Sequence, residues 1–257
     1  MKILLMVKQV PDVSVSGMED GKVPRGGPSV LNPQCEYALD AATLLKSEGD
    51  EVIAICMGPP SARESLFRCL ELGADRAYHL CDPDFAGSDV WATAKTLSRL
   101  VLERESDFDY VFCGQKAADS ETGQVPTMVA ELLGVPQVGA CYRLAKGTGS
   151  VHAWRERSGR IERYELGPRA LVAVERGCNV HRLPSVSDFL NARRKELTVL
   201  TRQDLSINRD ECGLKGSHTV VRNIHFLSSS REGIKLHLDD TSCAIDTVLR
   251  SVRRRGQ

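Results

Sequence analysis

Short apolar runs alternate with helical stripes along the first half of the chain. Four runs have the length and continuity of strands that are buried on both faces: Ile3–Val7, Glu51–Met57, Ala77–Leu80 and Tyr110–Cys113. Between these runs apolar residues recur at helical spacing, and Gly or Pro marks most of the ends. The alternation predicts an α/β fold with an open, mainly parallel sheet, helices on both faces and a ligand site at the carboxyl ends of the strands.

The alternation of short apolar runs with helical stripes ends after Gly134. We expect a β-meander at about residues 142–177, with strands over Ser150–Arg155, Ile161–Leu166 and Ala170–Glu175. Residues 1–184 would form one α/β domain that includes this meander. Residues 185–257 carry scattered apolar positions and too little periodicity for a core of their own, which predicts a C-terminal arm that wraps a partner.

The composition narrows the class of protein. Lys+Arg and Asp+Glu both number 34, so the formal net charge is zero, and neither nucleic acid nor an anionic membrane is an expected partner. The sequence contains no apolar run of about 18 residues, which argues against membrane insertion. The cysteines are spread out with no CxxC pair. We therefore expect reduced, buried thiols in a cytoplasmic protein and no metal centre.

The most informative motif is the loop Gly114–Val125. It follows an apolar strand and opens a helix, so its backbone N–H groups would lie at a helix N-terminus, where phosphate binds well. Ser120, Thr122 and Gln124 would add side-chain hydrogen bonds, and Asp119 would order the loop by accepting backbone N–H bonds. The pattern matches neither a Walker A motif nor GxGxxG, and an ordinary capped loop explains it equally well.

Three further segments lie at predicted strand ends or helix starts. Asn32-Pro33 has the form of a helix start, with a capping Asn and Pro at the first helical position. The Gly-Pro pair that closes the second strand is compatible with a plain turn and with close approach of a ligand. In Phe85–Thr93, Ser88 or Asp89 would cap the next helix; the alternative is a lip over a bound nucleotide.

Taken in order, these segments resemble the electron-transfer flavoprotein beta family. The resemblance covers the chain to about residue 205 and rests on a series of motifs, none of which is decisive alone. They are Met6–Val10 for V/I-K-x-V, Asn32–Glu36 for N-P-x-x-E, Gly58-Pro59 for a strand-ending G-P, Leu70–Asp75 for A-x-G-A-D, Gly114–Val125 for G-x-x-A-x-D-x-x-T-x-Q-V and Pro184–Lys195 for P-S-L-x-x-I-M-x-A-K/R-K-K.

The resemblance implies a subunit with redox activity only as part of a complex. A larger alpha subunit would hold the redox-active FAD, and the heterodimer would carry electrons between flavin-dependent dehydrogenases and an acceptor, with NADH as a further candidate donor. The fold would be of the Rossmann-like, adenine-nucleotide-binding type. The beta pocket holds a structural AMP in simple members of the family and a second FAD in electron-bifurcating members.

Site residues follow from the resemblance one position at a time. The nucleotide pocket would include Met6, Asn32, Cys35, Met57, Gly114, Asp119, Thr122, Gly123, Gln124 and Val125. The capping and loop segments described above add Pro33, Gln34, Ser88, Asp89, Thr93 and Ser120 as candidate contacts.

Phe85–Thr93 resembles the F-A-G-S/A-D-T-x-A-T pattern of the bifurcating branch. Thr93 matches its last position, whereas Val90 stands where the pattern has Thr. We expect this segment to form a second wall for a flavin, which favours FAD over AMP in the beta pocket. A simple carrier with a structural AMP is the alternative within the family; an adenine-nucleotide-sensing domain and an ATP-using ligase are the alternatives outside it.

The tail motif implies a docking site apart from the pocket. Val186 falls where the family has an apolar residue on a loop that docks dehydrogenase partners. With Phe189 it would form a short apolar patch inside a charged rim of Arg193, Arg194 and Lys195, the arrangement expected of a binding hot spot.

Overall fold

The computed structural model describes residues 1–12, 28–179 and 182–221, together with 245, 246 and 249. The chain divides into two compact units, Met1–Arg222 and Asn223–Gln257. Of the second unit, the described residues Ile245, Asp246 and Leu249 are helical and exposed. All elements named below belong to the first unit.

A nine-stranded sheet runs through the first unit. Its order is β11-β5-β4-β1-β6-β10-β7-β8-β9, where the strands are β1 (Lys2–Val7), β4 (Glu51–Met57), β5 (Arg76–Leu80), β6 (Tyr110–Gly114), β7 (Gln137–Lys146), β8 (Val151–Arg157), β9 (Arg160–Leu166), β10 (Ala170–Val174) and β11 (Leu197–Leu200). Neighbouring strands are parallel except in the pairs β7–β8 and β8–β9. A separate antiparallel pair joins β2 (Gln9–Pro11) to β3 (Ser29–Leu31).

Helices cover both faces of the sheet, which confirms the predicted α/β class. They are α1 (Pro33–Leu45), α2 (Arg63–Glu71), α3 (Val90–Arg104), α4 (Val125–Leu133), α5 (Val186–Ala192) and α6 (Gly213–Gly216). In β1, Ile3 and Leu5 pack under α1 and α2, whereas Leu4 and Met6 pack under α3 and α4. A strand that is apolar at successive positions can be buried on both faces in this way.

The predicted β-meander is only partly correct. β7, β8 and β9 form an antiparallel set, but Ala170–Val174 does not continue it. This strand is β10, which lies parallel between β6 and β7 in the middle of the sheet. All five residues of β10 are buried apolar residues, so the strand is stabilised by burial on both faces rather than by position in a half-exposed hairpin.

The chain after residue 184 also differs from the expected arm in its first part. The first compact unit extends to Arg222. β11 pairs in parallel with β5 at one edge of the sheet, and Ala192, Leu205 and Cys212 are buried. β11 obtains its backbone hydrogen bonds by pairing with β5 at the edge of the sheet. The local sequence pattern of β11 contains no information about this distant partner.

Candidate functional site

The strand order reverses at β1. From β1 the chain proceeds to β4 and β5 on one side, then crosses to β6 on the other side. The register pairs Met6 with both Ile55 and Cys113, so the carboxyl ends of β1, β4 and β6 lie at one edge. In open α/β sheets this reversal leaves a crevice that receives ligands, and the Gly114–Val125 loop (the 114–125 loop) begins beside it.

Asn32 holds the middle of the 114–125 loop. It occupies the residue before α1, as predicted, but within the described part of the chain its side chain makes no capping hydrogen bond to that helix. Its Nδ2 donates to the carbonyl of Lys116 at 3.0 Å, and its Oδ1 accepts from the N–H of Ala118 at 3.0 Å. The buried amide therefore forms hydrogen bonds with one carbonyl and one N–H of the loop backbone. Asn32 was predicted to cap α1, so its observed role is different.

Two glutamines hold the beginning of the loop. The Oε1 of Gln34 accepts from the N–H of Lys116 at 2.7 Å, and its Nε2 donates to Glu175 at 2.9 Å. The Oε1 of Gln115 accepts from the N–H of Ala140 at 2.5 Å, at an irregularity of β7 where Ala140 has φ 51°. These bonds tie the beginning of the loop to α1, β7 and the end of β10.

An ion pair crosses the reversal point. Lys8 follows β1 directly, and its Nζ donates to both carboxylate oxygens of Asp119 at 2.7 Å. We predicted that Asp119 orders the loop by accepting backbone N–H bonds; it orders the loop by binding an ammonium instead. The carboxylate also offsets part of the positive charge of Lys8 at the mouth of the crevice.

Two glycines give the loop its shape. A Cβ on Gly114 would lie 2.9 Å from the Cβ and carbonyl carbon of Gln34, so only glycine lets α1 approach the end of β6 this closely. Gly123 has φ 61° and Glu121 has φ 51°, so the chain turns sharply before α4. α4 starts without a side-chain cap from any described residue.

The remaining predicted pocket residues range from exposed positions on the loop to buried positions in the core. Ser120, Thr122 and Gln124 are exposed along the loop, and Val125 is half-buried. Met6 is buried in the core under α3 and α4, with Met57 packed against that core. Cys35 is buried behind Asn32, and burial raises the pKa of its thiol. Pro33 opens α1 as predicted.

The Phe85–Thr93 segment contacts another part of the chain. Asp89 caps α3, as predicted, and also accepts hydrogen bonds from residues 218 and 219. The Oγ of Ser88 accepts from the N–H of Gly213 at 3.1 Å. A Cβ on Gly87 would lie 3.2 Å from Leu214, so the close approach that Gly87 allows is to the protein itself. Thr93 is half-buried in the first turn of α3.

Sequence reasoning missed three residues that shape the site. Lys8 and Gln115 form the contacts described above, and His79 supports the turn after β4. His79 is buried, and its Nε2 lies 3.2 Å from the carbonyl of Pro59. Burial lowers the pKa of His79, so the neutral ring donates to that carbonyl. Each of these polar residues lies at or just after the end of a buried strand. That position in the sequence was the signal that could have identified them.

The predicted docking residues lie on and after α5, away from the 114–125 loop. Val186 is 78% exposed and Phe189 is 42% exposed. The guanidinium of Arg193 lies over the rings of Phe189 at 4.7 Å and Phe67 at 5.5 Å. Arg194 is exposed. Lys195 does not belong to the rim, because its Nζ donates to the carbonyls of Leu70 at 2.8 Å and Ala74 at 2.6 Å.

The described residues hold neither a metal-binding cluster nor a membrane-spanning helix. In that part of the chain, no cluster of His, Cys, Asp and Glu could hold a metal ion. None of the described helices is long and apolar enough to cross a membrane.

The parallel sheet, its reversal at β1 and the ordered loop at its edge define an α/β protein of the doubly wound class. A family model described as electron transfer flavoprotein domain matches residues 21–205. The chain is 37% identical over 226 residues to the electron transfer flavoprotein subunit beta of Thermoanaerobacterium thermosaccharolyticum, with 86% of each chain covered. The chain therefore belongs to the electron transfer flavoprotein family, as a beta-type subunit.

Two further relatives carry more specific names. The Caffeyl-CoA reductase-Etf complex subunit CarD of Acetobacterium woodii is 34% identical over 226 residues, which are 86% of each chain. Protein FixA of Azorhizobium caulinodans is 31% identical over 266 residues, which cover 99% of this chain and 95% of the relative.

Proposed function

We propose that this chain binds an adenine nucleotide at the 114–125 loop and acts as the beta subunit of a heterodimer. The alpha subunit would hold the redox-active FAD. The pair would carry electrons between flavin-dependent dehydrogenases and an acceptor, with NADH as a further candidate donor. The observation that carries the nucleotide site is the loop itself, which Lys8, Asn32 and Gln34 hold in place beside the point where the strand order reverses.

The loop has the chemistry to receive a phosphate group. The first turn of α4 presents backbone N–H groups and the positive end of the helix dipole. Lys8 and Lys116 lie at the loop, where they pair with the carboxylates of Asp119 and Glu121, so each ammonium would exchange part of that contact for a phosphate. Because the loop backbone is already fixed by hydrogen bonds, a phosphate would bind with little ordering cost.

Protein partners are supported by exposed apolar surface and by the names of the relatives. Leu183, Val186 and Leu190 are exposed large apolar residues on and just before α5. The T. thermosaccharolyticum relative is named as a subunit beta, and CarD as a subunit of a complex. We propose that Val186, Phe189, Arg193 and Arg194 dock a flavin-dependent dehydrogenase, while residues further along the chain contact the alpha subunit.

We favour FAD over AMP in the beta pocket. The support is the Phe85–Thr93 sequence, which follows β5 and opens α3 at the same edge of the sheet as the 114–125 loop. An AMP would engage the loop alone, whereas the flavin of an FAD needs the second wall that this segment would supply. With FAD in both subunits, the protein would split electron pairs between two acceptors; with AMP it would be a simple carrier.

The experiment is to denature the purified heterodimer and quantify the released nucleotides. Two FAD per heterodimer supports the bifurcating form, and one FAD with one AMP contradicts it. Asn32→Ala should remove most of the beta nucleotide and leave the alpha FAD, because the loop loses two hydrogen bonds. Asn191→Ala, at an exposed position of α5, is the matched control and should leave both nucleotides in place.

The same preparation tests the rival class. A nucleotide-sensing domain would bind ATP or AMP alone and show no need for an alpha subunit. Absence of a flavin spectrum after co-purification with the alpha subunit would therefore overturn the electron-transfer proposal. A cytoplasmic location is part of the proposal, and the free thiols of the eight described cysteines support it.

A further inference from the structure

The turn Gly58–Ala62, which we name the 58–62 turn, follows β4 and is tied to the end of β5. The N–H of Gly58 donates to the carbonyl of Leu80 at 3.1 Å. The Nε2 of the buried His79 donates to the carbonyl of Pro59 at 3.2 Å. Both partners are the last residues of β5, so the neighbouring strand fixes the backbone of the turn.

Gln9 holds the same turn from the end of β1. Its Nε2 donates to the carbonyl of Ser61 at 2.9 Å, and its Oε1 accepts from the hydroxyl of Ser61 at 3.0 Å. The residue before it, Lys8, binds the 114–125 loop. β4 and β6 are the two neighbours of β1. Two consecutive residues after β1 therefore contact the two segments that flank the end of this strand.

The 58–62 turn offers a surface that suits a nucleoside. Pro59 and Pro60 are exposed, and Met57 beside them is half-buried. Apolar rings and a polarizable thioether pack well against the face of a purine. Because β4 and β6 each lie roughly 4.8 Å from β1, a nucleotide whose phosphate is at the 114–125 loop can reach this turn with its adenosine.

We infer that His79 and Gln9 are positioning residues for the nucleoside end of the bound nucleotide. The inference rests on the proposed function, in which the phosphate binds at the 114–125 loop. Each side chain acts by fixing the 58–62 turn rather than by touching the ligand. A turn that is already held in its binding arrangement loses less conformational entropy when the nucleotide binds.

The test is a titration of the nucleotide-free full chain with AMP by calorimetry. AMP is the probe because FAD contains the same adenosine and phosphate. His79→Leu keeps a buried side chain of similar size and removes the N–H donor, so we expect AMP to bind about tenfold more weakly. His79→Gln keeps an N–H donor at the end of the side chain and should recover most of the affinity.

The contact between Gln9 and Ser61 provides an independent measurement. Gln9→Ala removes both hydrogen bonds and should weaken AMP binding about threefold, whereas Ser61→Ala removes only one and should weaken it about twofold. The double variant should be no weaker than Gln9→Ala alone, because both substitutions break the same contact. Gln203→Ala, at an exposed glutamine after β11, is the matched control and should bind AMP like the wild type.

A second control separates positioning from stability. Lys195→Ala removes the donor to the carbonyls of Leu70 and Ala74, at the opposite end of α2 from the turn, and should leave AMP affinity unchanged. Equal weakening in Lys195→Ala and His79→Leu would show that stability alone controls the affinity, and would overturn the inference.

Unchanged AMP affinity in His79→Leu or in Gln9→Ala would remove that residue from the role we infer for it. If His79→Leu does not fold, the comparison of Gln9→Ala, Ser61→Ala and the double variant decides the inference, and losses that add in the double variant would contradict it. If the wild-type chain did not bind AMP, the proposed nucleotide site itself would be wrong, which is a different outcome from any change confined to the variants.

Discussion

Gly114 lies where the start of α1 packs closely against the end of β6. Its Cβ-less backbone lies against the Cβ and carbonyl carbon of Gln34 and the N–H of Cys35. Gly114→Ala would place a methyl 2.9 Å from that backbone, so α1 must shift. We expect a loss of about 1–3 kcal/mol of unfolding free energy, measured by urea denaturation, and weaker nucleotide binding because Gln34 also holds the loop.

The control for this prediction is Gly167→Ala. No atom lies within 4 Å of a Cβ built at Gly167, and its unfolding free energy should change by less than about 0.5 kcal/mol. Equal losses in the two variants would mean that contact with α1 is not the cause, because the effect of Ala on the unfolded chain alone would stabilise both variants.

At the residue scale, the sequence indicated which residues lie at the candidate site, but it did not indicate which partners their side chains contact. Asn32 and Asp119 were expected to be important: Asn32 contacts the 114–125 loop, and Asp119, within that loop, binds Lys8. Their partners could not be predicted, because the amide of Asn32 and the ammonium of Lys8 reach residues more than 80 positions away. Such contacts depend on which strands become neighbours, and the local pattern around each residue does not contain that information.

Among the elements, the end of α2 depends on a lysine from a distant part of the chain. Lys195 donates to the carbonyls of Leu70 and Ala74, which lie at the C-terminal end of α2 and just after it. Lys195→Ala should lower the unfolding free energy by about 1–3 kcal/mol, because these carbonyls lose a charged donor. The exposed Arg194 is the matched control, and Arg194→Ala should change the unfolding free energy by less than about 0.5 kcal/mol. Both unfolding free energies are measured by thermal denaturation.

α5 presents the apolar surface that we assign to dehydrogenase docking. It begins with a capping box between Ser185 and Asp188, so truncating its outward side chains should leave the helix folded. Val186→Ala with Leu190→Ala should slow electron transfer from the dehydrogenase by about tenfold, because two exposed anchors are lost. Nucleotide content should stay the same, as measured on the purified heterodimer.

A matched pair tests whether apolar exposure alone explains such an effect. Leu44 on α1 and Leu102 on α3 are similarly exposed, at 73% and 49%. Their joint replacement by Ala should leave electron transfer unchanged. A comparable slowing there would show that α5 is not the docking surface.

Most elements could be predicted from periodicity; β2, β3 and β7 were not predicted, and two further errors have a common cause. The four early strands and helices α1, α3 and α4 follow the apolar pattern closely. β10 was assigned to the meander and β11 was missed, because each is a short strand whose place is set by the neighbours it pairs with. For β10, burial at every position was the readable sign of an interior strand.

On the scale of the whole molecule, the edge opposite the site is held by charge. Glu105 follows α3, where the helix dipole disfavours an anion. Its Oε1 accepts from Arg76 at 2.7 Å and Tyr78 at 2.8 Å, and its Oε2 from Lys2 at 3.1 Å. These contacts join β1, β5 and α3 where the strands begin. The proposed binding groups therefore lie at one edge of the sheet, and these charged groups lie at the other.

This network predicts a specific sensitivity to acid. Burial raises the pKa of Glu105, but hydrogen bonds from Arg76, Tyr78 and Lys2 outweigh it and hold the pKa below the ordinary value of 4.5. The carboxylate stabilises the fold above that value, and its contribution is lost as the pH falls through the lower folded pKa.

Glu105→Gln should cost about 1–3 kcal/mol at neutral pH, because Arg76 and Lys2 lose their shared carboxylate and keep only Glu51 and Asp107 as partners. The melting temperature of the variant should then fall less than that of the wild type between about pH 5 and pH 3. Glu103→Gln breaks only a surface pair with Arg99 and should keep the wild-type profile. Parallel profiles for Glu105→Gln and the wild type would contradict the role of Glu105.

The central position of β1 has a consequence for how the protein is made. Ile3–Met6 pairs with residues 110–113 on one side and with residues 52–55 on the other. β1 is therefore synthesised before both of its neighbours and receives the second of them, β6, only after more than a hundred further residues. Such distant pairing slows folding and leaves an unpaired edge exposed during translation. A nascent chain stalled before β6 should accordingly recruit chaperones, and one stalled well after β10 should not.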